Sequence, residues 1–261
     1  RLELARAIAS PDNPLTARVL VNRVWQQHFN VGLVASTSNF GLRGDSPSHR
    51  ELLDDLAWRF VAEGWSIKQL HRSIMLSSVY QQSSEFREEC FARDPENRLL
   101  WRMNRRRLDV ESFRDALLAT SGQLDASVGG PPGDLAAPGF RRRTLYGLVD
   151  RQQLNGMLAD FDFASPESHS PLRHVTTVPQ QSLFLLNSPF MLQQAASFAQ
   201  RPELVAIVDL RERIAAMYRF AFGRCPIEEE LHGAQAFLEE GGTWQELAQA
   251  ILVSNEFSFV D

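Results

Sequence analysis

With 261 residues, 44% of them hydrophobic and 23% charged, the chain is long enough to bury a sizeable core and has the composition of an ordinary globular protein. Its formal net charge of -5 argues against nucleic acid or an anionic membrane surface as a partner, and no apolar run reaches the length that would insert into a membrane. Two cysteines, Cys90 and Cys225, cannot build a four-thiolate zinc site, and without a Cys-x-x-Cys-His run there is no covalent haem attachment, so no cofactor is expected.

The N-terminal half carries dense helix signals. Asn13-Pro14 is a cap followed by proline and predicts a helix to about Phe29, with Gly32 just beyond. Ser48-His49-Arg50-Glu51 has the form of a capping box, and Leu52, Leu53, Leu56 and Phe60 make an apolar stripe behind it. Ser66 to Gln69 is a second box, leading to Leu70, Ile74 and Tyr80, and Asp109 is placed to cap a helix that reaches Thr120 and stops at Gly122. Residues 125–143 are rich in glycine and proline and break the helical pattern. Thr144 to Val149 is the best candidate for a strand. Thr177 to Gln180 opens another helix, Ser188-Pro189 restarts it, and the last sixty residues read as three helices separated by Gly223, Pro226 and Gly241-Gly242.

These elements predict a mainly α, multi-helical globular domain with at most a small two- or three-stranded sheet. The expected organisation is an N-terminal helical lobe over 1–124, a Gly/Pro-rich loop and short strand over 125–150, and a C-terminal helical lobe over 151–261, either separate or sharing one core. Internally, Leu70, Ile74, Ser77 and Tyr80 repeat the spacing of Leu247, Ile251, Ser254 and Phe257, each group following an amphipathic helix that ends in glycine, with Trp65 and Trp244 at the two junctions. This reads as two related helical hairpins or as convergence of two ordinary helix pairs.

Five blocks in order, Asn13 to Val19 with Val21 to Phe29, Asn39-Phe40-Gly41, Asn97 to Trp101 with Arg105 to Leu108, His174 to Gln180, and Ser254 to Phe257, carry a resemblance that spans nearly the whole chain. The sequence resembles a domain of unknown function, the C-terminal domain of planctomycete cytochrome-c-containing exported proteins. The resemblance implies a module that follows a cytochrome c domain and another uncharacterised domain. It implies a periplasmic or cell-surface location, and it implies no activity. The chain begins at Arg1, as expected of a C-terminal piece whose export signal lies upstream.

Familiar catalytic signatures are missing: no Gly-x-Ser-x-Gly, His-Glu-x-x-His, phosphate-binding loop or Gly-x-Gly-x-x-Gly. The richest polar cluster is Asp160, Asp162, Glu167, His169, Arg173 and His174 with Thr176 and Thr177. Its carboxylates and imidazoles suit a metal, an acid/base pair or a hydrogen-bonded loop; metal binding is not adopted as the expectation. Asn22, Arg23 and Gln26 beside Trp25 suit a pocket wall or an inter-helix network. Lys68 is the one lysine against 26 arginines, with two triplets, Arg105 to Arg107 and Arg141 to Arg143. Guanidinium forks favour planar anions, and genome composition or pairing with acidic residues accounts for them equally. The expected ligand-binding residues are therefore Asn22, Arg23, Arg106, Asp162, His169, Arg173, His174 and Thr177. The expected function is a noncatalytic binding or scaffold module of a large exported protein that contacts anionic polysaccharide or a cytochrome c domain. The alternative is an enzyme acting on sulfated or uronic carbohydrate through the Asp162–His174 loop.

Overall fold

A computed structural model describes residues 1–173 and 175–260. The described chain is 50% helical, with 14 helices and one two-stranded sheet, so the mainly α architecture is as expected. It forms two compact units, residues 1–106 and 107–260. The Gly/Pro-rich stretch 125–150 lies inside the second unit. No helix among the described residues is long and apolar enough to cross a membrane.

The first unit contains α1 (Leu2–Ile8), α2 (Thr16–Phe29), α3 (Arg50–Ala62), α4 (Ile67–Met75) and α5 (Glu88–Arg93). Val21, Trp25 and Phe29 recur every four residues on α2 and so share one face. They bury against Leu53, Leu56, Ala57 and Phe60 of α3 and Leu70 and Ile74 of α4. The Trp25 and Phe29 rings stack at 4.2 Å. Asn22 is buried on the same helix, where its amide accepts from the Val34 N–H at 2.8 Å and donates to the Val34 carbonyl at 3.0 Å. The side chain thereby pairs both polar groups of a buried backbone residue, which would otherwise cost free energy.

Two helix starts differ from expectation. α2 begins at Thr16, because the Asn13 side chain instead accepts the Leu15 N–H and donates to Ala7 and Ile8. α3 begins at Arg50 without a side-chain cap, because both the N–H and the hydroxyl of Ser48 reach the Leu33 carbonyl.

The second unit runs through α6 (Val110–Thr120), a 3-10 turn (Thr144–Tyr146), α7 (Gly156–Asp160), α8 (Pro179–Asn187), α9 (Pro189–Ala199), α10 (Pro202–Val205), α11 (Leu210–Phe222), α12 (Glu228–Glu239), α13 (Trp244–Leu252) and α14 (Asn255–Ser258). The three helices expected at the C-terminus are α11, α12 and α13, flanked by the four-residue α10 and α14. Met191, Ala195 and Phe198 of α9 pack with Ala248, Ile251 and Leu252 of α13, and the core extends to Ile214 and Met217 of α11 and Phe113 and Leu117 of α6. The sheet is short, Arg106–Arg107 pairing with Phe259–Val260. It does not include Thr144–Val149, which turns as a 3-10 helix and makes one isolated bridge, Gly133 to Gly147.

The hairpin similarity extends to the hydrogen bonding. α4 and α13 each have nine residues and are capped by Ser66 and Thr243. The Gly64 and Gly241 N–H groups reach Val61 and Leu238, and the Trp65 and Gly242 N–H groups reach Phe60 and Phe237. Ser77 and Ser254 each accept the N–H three residues on, at 3.3 Å in both. Leu70, Ile74, Leu247 and Ile251 are all buried. The tryptophans do not correspond: in this register Trp65 stands opposite Gly242, while Trp244 is the first residue of α13.

Two outcomes are expected. Asn22→Ala leaves both Val34 backbone groups buried without partners and lowers stability by roughly 2–4 kcal/mol in denaturant unfolding. In the second unit, the Arg224 guanidinium holds Glu230 at 2.7 Å and Glu256 at 2.6 Å. The Arg224 hydrogen bond is the main reason the Glu230 carboxyl titrates below its ordinary value of 4.5. A lowered folded value means stability that is present above 4.5 and lost as pH falls through the folded value. Unfolding followed from pH 6 downward, at about one-unit steps, is therefore expected to show a shallower acid loss in Glu230→Gln than in the wild type.

Candidate functional site

α6 organises the second unit's polar chemistry. Asp109 caps it by accepting the Ser112 N–H at 2.8 Å. Val110, Phe113, Leu117 and Leu118 are buried along it. Arg114 falls between Val110 and Leu118 on the same four-residue spacing and is 1% exposed, the largest of the fully buried side chains. Its Nη1 donates to the Arg142 carbonyl at 3.1 Å and to Thr144 Oγ1 at 3.2 Å, and its Nη2 donates to the Phe140 carbonyl at 2.5 Å. The guanidinium carbon lies over the Phe140 and Phe190 rings, 5.4 Å from each ring centroid. Its Nε–H is buried without an acceptor. Among the described residues no carboxylate lies within ion-pairing distance of Arg114. Burial pulls its pKa down, and the nearby Asp115 charge partly opposes this.

Asp115 is itself engaged. Its Oδ1 accepts from the Thr144 N–H at 2.6 Å and the Thr144 hydroxyl at 2.7 Å, and Arg143 lies 3.5 Å from Oδ2. Arg114 and Asp115 together fasten the segment 140–144 to α6, which is why this stretch turns rather than extending as a strand. Two glycines permit the close packing that follows. A Cβ at Gly147 would sit 2.6 Å from the Leu135 side chain, and one at Gly133 would sit 2.4 Å from the Phe140 ring.

The fastened segment encloses a cavity of about 340 Å³ against α6, α7, α8 and α9. Phe140, Phe184, Phe190 and Met157 contribute apolar walls, and Gln123, Asn155, Gln193 and Gln194 contribute amides. The titratable groups in its lining are Arg114 and Arg141. Gln194 accepts from Ser121 at 2.7 Å, and Asn155 caps α7 through Met157.

The expected polar loop closes on itself. Asp162, in the left-handed region at φ 59°, accepts from the Thr176 N–H at 2.7 Å and the Thr176 hydroxyl at 2.8 Å. Arg107 donates to the Thr176 carbonyl at 2.9 Å and to Gln181 at 2.7 Å. Arg173 forms a two-point ion pair with Glu111, both bonds 2.6 Å, and sits over Phe163 at 4.9 Å. This pairing raises the Arg173 pKa. His169 and Thr177 are exposed, and His174 lies outside the described residues. α8 starts at Pro179 with Val178 before it and no side-chain cap, so Thr177 does not open the helix.

In the first unit Asn22 is enclosed in its Val34 contacts, Arg23 is exposed, and Arg106 donates to the Gln27 carbonyl at 2.6 Å. Within the second triplet, Arg142 reaches the Gly129 and Pro131 carbonyls and lies 4.1 Å from the Tyr146 ring. Cys90 and Cys225 are free thiols. Among the described residues no group of three His, Cys, Asp or Glu is placed to hold a metal ion. The sequence reading missed Arg114. Its signal was a charged residue on the buried stripe of a helix, at Val110 plus four and Leu118 minus four.

Gly147→Ala is expected to lower stability by about 1–3 kcal/mol, because the added methyl group overlaps Leu135; thermal unfolding checks it, and Gly156→Ala, where a Cβ meets nothing within 4 Å, serves as the neutral control. A family model described as PSD1, protein of unknown function (DUF1553), matches residues 1–255. No curated protein and no solved structure matches the chain.

Proposed function

The chain belongs to the PSD1 (DUF1553) family of unknown function, and from that premise we propose that it is a noncatalytic binding module that takes a small ligand in the second unit's cavity. The observation that carries this reading is the character of the lining: aromatic walls, four side-chain amides and two arginines. A cavity of about 340 Å³ is of the size that encloses a small molecule. Arginines stay protonated at neutral pH and do not serve as general acid or base, whereas the amides and rings are suited to recognition. The sequence blocks that carry the family resemblance support placing the module in a large exported protein, next to a cytochrome c domain.

The alternative, an enzyme acting on sulfated or uronic carbohydrate through the Asp162–His174 loop, meets a physical obstacle. Asp162, the carboxylate at the head of that loop, accepts both the N–H and the hydroxyl of Thr176, and those bonds must be exchanged before it can take a proton from a substrate.

A thermal-shift screen of the chain against mono- and oligosaccharides and small organic acids tests the binding reading. The expected result is at least one stabilising ligand, worth about 2.7 kcal/mol at a hundred times its dissociation constant. The ligand should be recovered chemically unchanged after prolonged incubation, and Gly156→Leu, which places bulk in the cavity lining, should abolish the shift. Turnover of the ligand, or stabilisation that Gly156→Leu leaves intact, would contradict the reading.

A further inference from the structure

We propose that His28 and His71 form an acid-sensitive latch that holds α4 and the turn to Tyr80 against the last turn of α2. The inference concerns the first unit and is independent of the cavity in the second.

The first observation is geometric. His28 lies in the last turn of α2 and His71 within α4. His28 Nε2 stands 2.8 Å from His71 Nδ1, and both side chains are half-buried. The Tyr80 ring meets His28 edge-on at 5.3 Å and Phe29 at 6.0 Å. Ser77 ties Tyr80 to the end of α4, its hydroxyl accepting the Tyr80 N–H and donating to the Ile74 carbonyl. The imidazole pair therefore adds a polar contact to the patch that joins α4 and this turn to α2.

The second observation is what the contact demands of its protons. Two neutral imidazoles hold two lone pairs between them, and their mutual hydrogen bond uses one. A first added proton takes the free lone pair and leaves the bond intact. A second has only the bonded lone pair to take, after which two donors and two like charges face each other at hydrogen-bond distance.

The third is the absence of a counter-charge. Neither α2 nor α4 contains an acidic residue, and α4 also carries Lys68 and Arg72. α3 packs on both helices. Of its acids, Asp54 pairs with Arg18, Asp55 pairs with Arg59, and Glu51 is exposed. The C-terminal end of α2, which favours a cation, already has Arg106 on the Gln27 carbonyl at 2.6 Å. Burial above all, then His71 and Arg106, pull the His28 pKa below its ordinary value of 6.5. A lowered folded value means a contact that is intact above 6.5 and is lost as pH falls through the folded value.

Amide hydrogen exchange of the whole chain at about pH 7.5 and about pH 5, expressed as protection relative to the unfolded chain, tests the latch. Protection of the α4 amides from Leu70 to Met75 is expected to fall at least about tenfold at the lower pH, the worth of one pKa unit, while α9 and α13 keep theirs. In His71→Gln the side-chain carbonyl accepts from His28 whether or not His28 is charged, so α4 should be protected equally at both pH values. An equal acid loss in the variant, or no loss in the wild type, overturns the latch. Should the variant not fold, nitrogen-15 NMR of the wild-type imidazoles decides. The two rings should charge in successive steps, the second together with the loss of α4 protection. Both rings charged while α4 stays protected overturns the proposal.

Discussion

A buried guanidinium with no carboxylate at ion-pairing distance among the described residues organises the second unit. Arg114 ties the carbonyls of Phe140 and Arg142 and the hydroxyl of Thr144 to the middle of α6, and Asp115, one residue on, binds the Thr144 backbone. A segment crowded with glycine and proline has little secondary structure to hold it, so these side-chain bonds take the place of a ladder. They set where Phe140 and Leu135 stand, and with them the mouth and wall of the cavity. Remove the guanidinium and the buried Thr144 hydroxyl and the half-buried Phe140 and Arg142 carbonyls lose their donor together, the buried one at a cost of about 1–3 kcal/mol.

The same device recurs through the chain. Arg201 donates to the Ala119 and Thr120 carbonyls at the end of α6, Arg213 to Ala199 at the end of α9, and Arg106 to Gln27 near the end of α2. Helix C-termini leave carbonyls without intrahelical partners, and they carry a negative dipole end. A guanidinium answers both needs with several donors at once and stacks on rings as well, as Arg213 does over Trp244 at 4.0 Å. A lysine offers a point charge and cannot reach two carbonyls in a fixed fork.

Much of the helical framework was legible because its signals are local. Ser66, Asp109 and Ser188 cap the helices they were expected to cap, and the apolar stripes of α3 and α4 point to a common core. Where a side chain had a distant alternative the local rule failed: Ser48 turned to Leu33, and Asn13 to the end of α1. The strand expected at Thr144–Val149 failed for the same reason, since Asp115 and Arg114, some thirty residues earlier, claim Thr144. Site residues were harder. Counting titratable groups favoured the Asp162–Thr177 loop, and there the geometry pairs Asp162 with Thr176 and Arg173 with Glu111. Arg114 stood alone in a helix, and its importance comes from burial, which spacing signalled and composition did not.

The central claim is that Arg114 fastens the 140–144 segment to α6 and so sets the cavity wall. Amide hydrogen exchange in the wild type and in Arg114→Lys tests it most directly. The Asp125 and Gly133 N–H groups, which bond to the Arg141 and Tyr146 carbonyls, should exchange faster in the variant, while the amides of α11 to α13 keep their protection. Protection at Asp125 and Gly133 equal to the wild type's would contradict the claim.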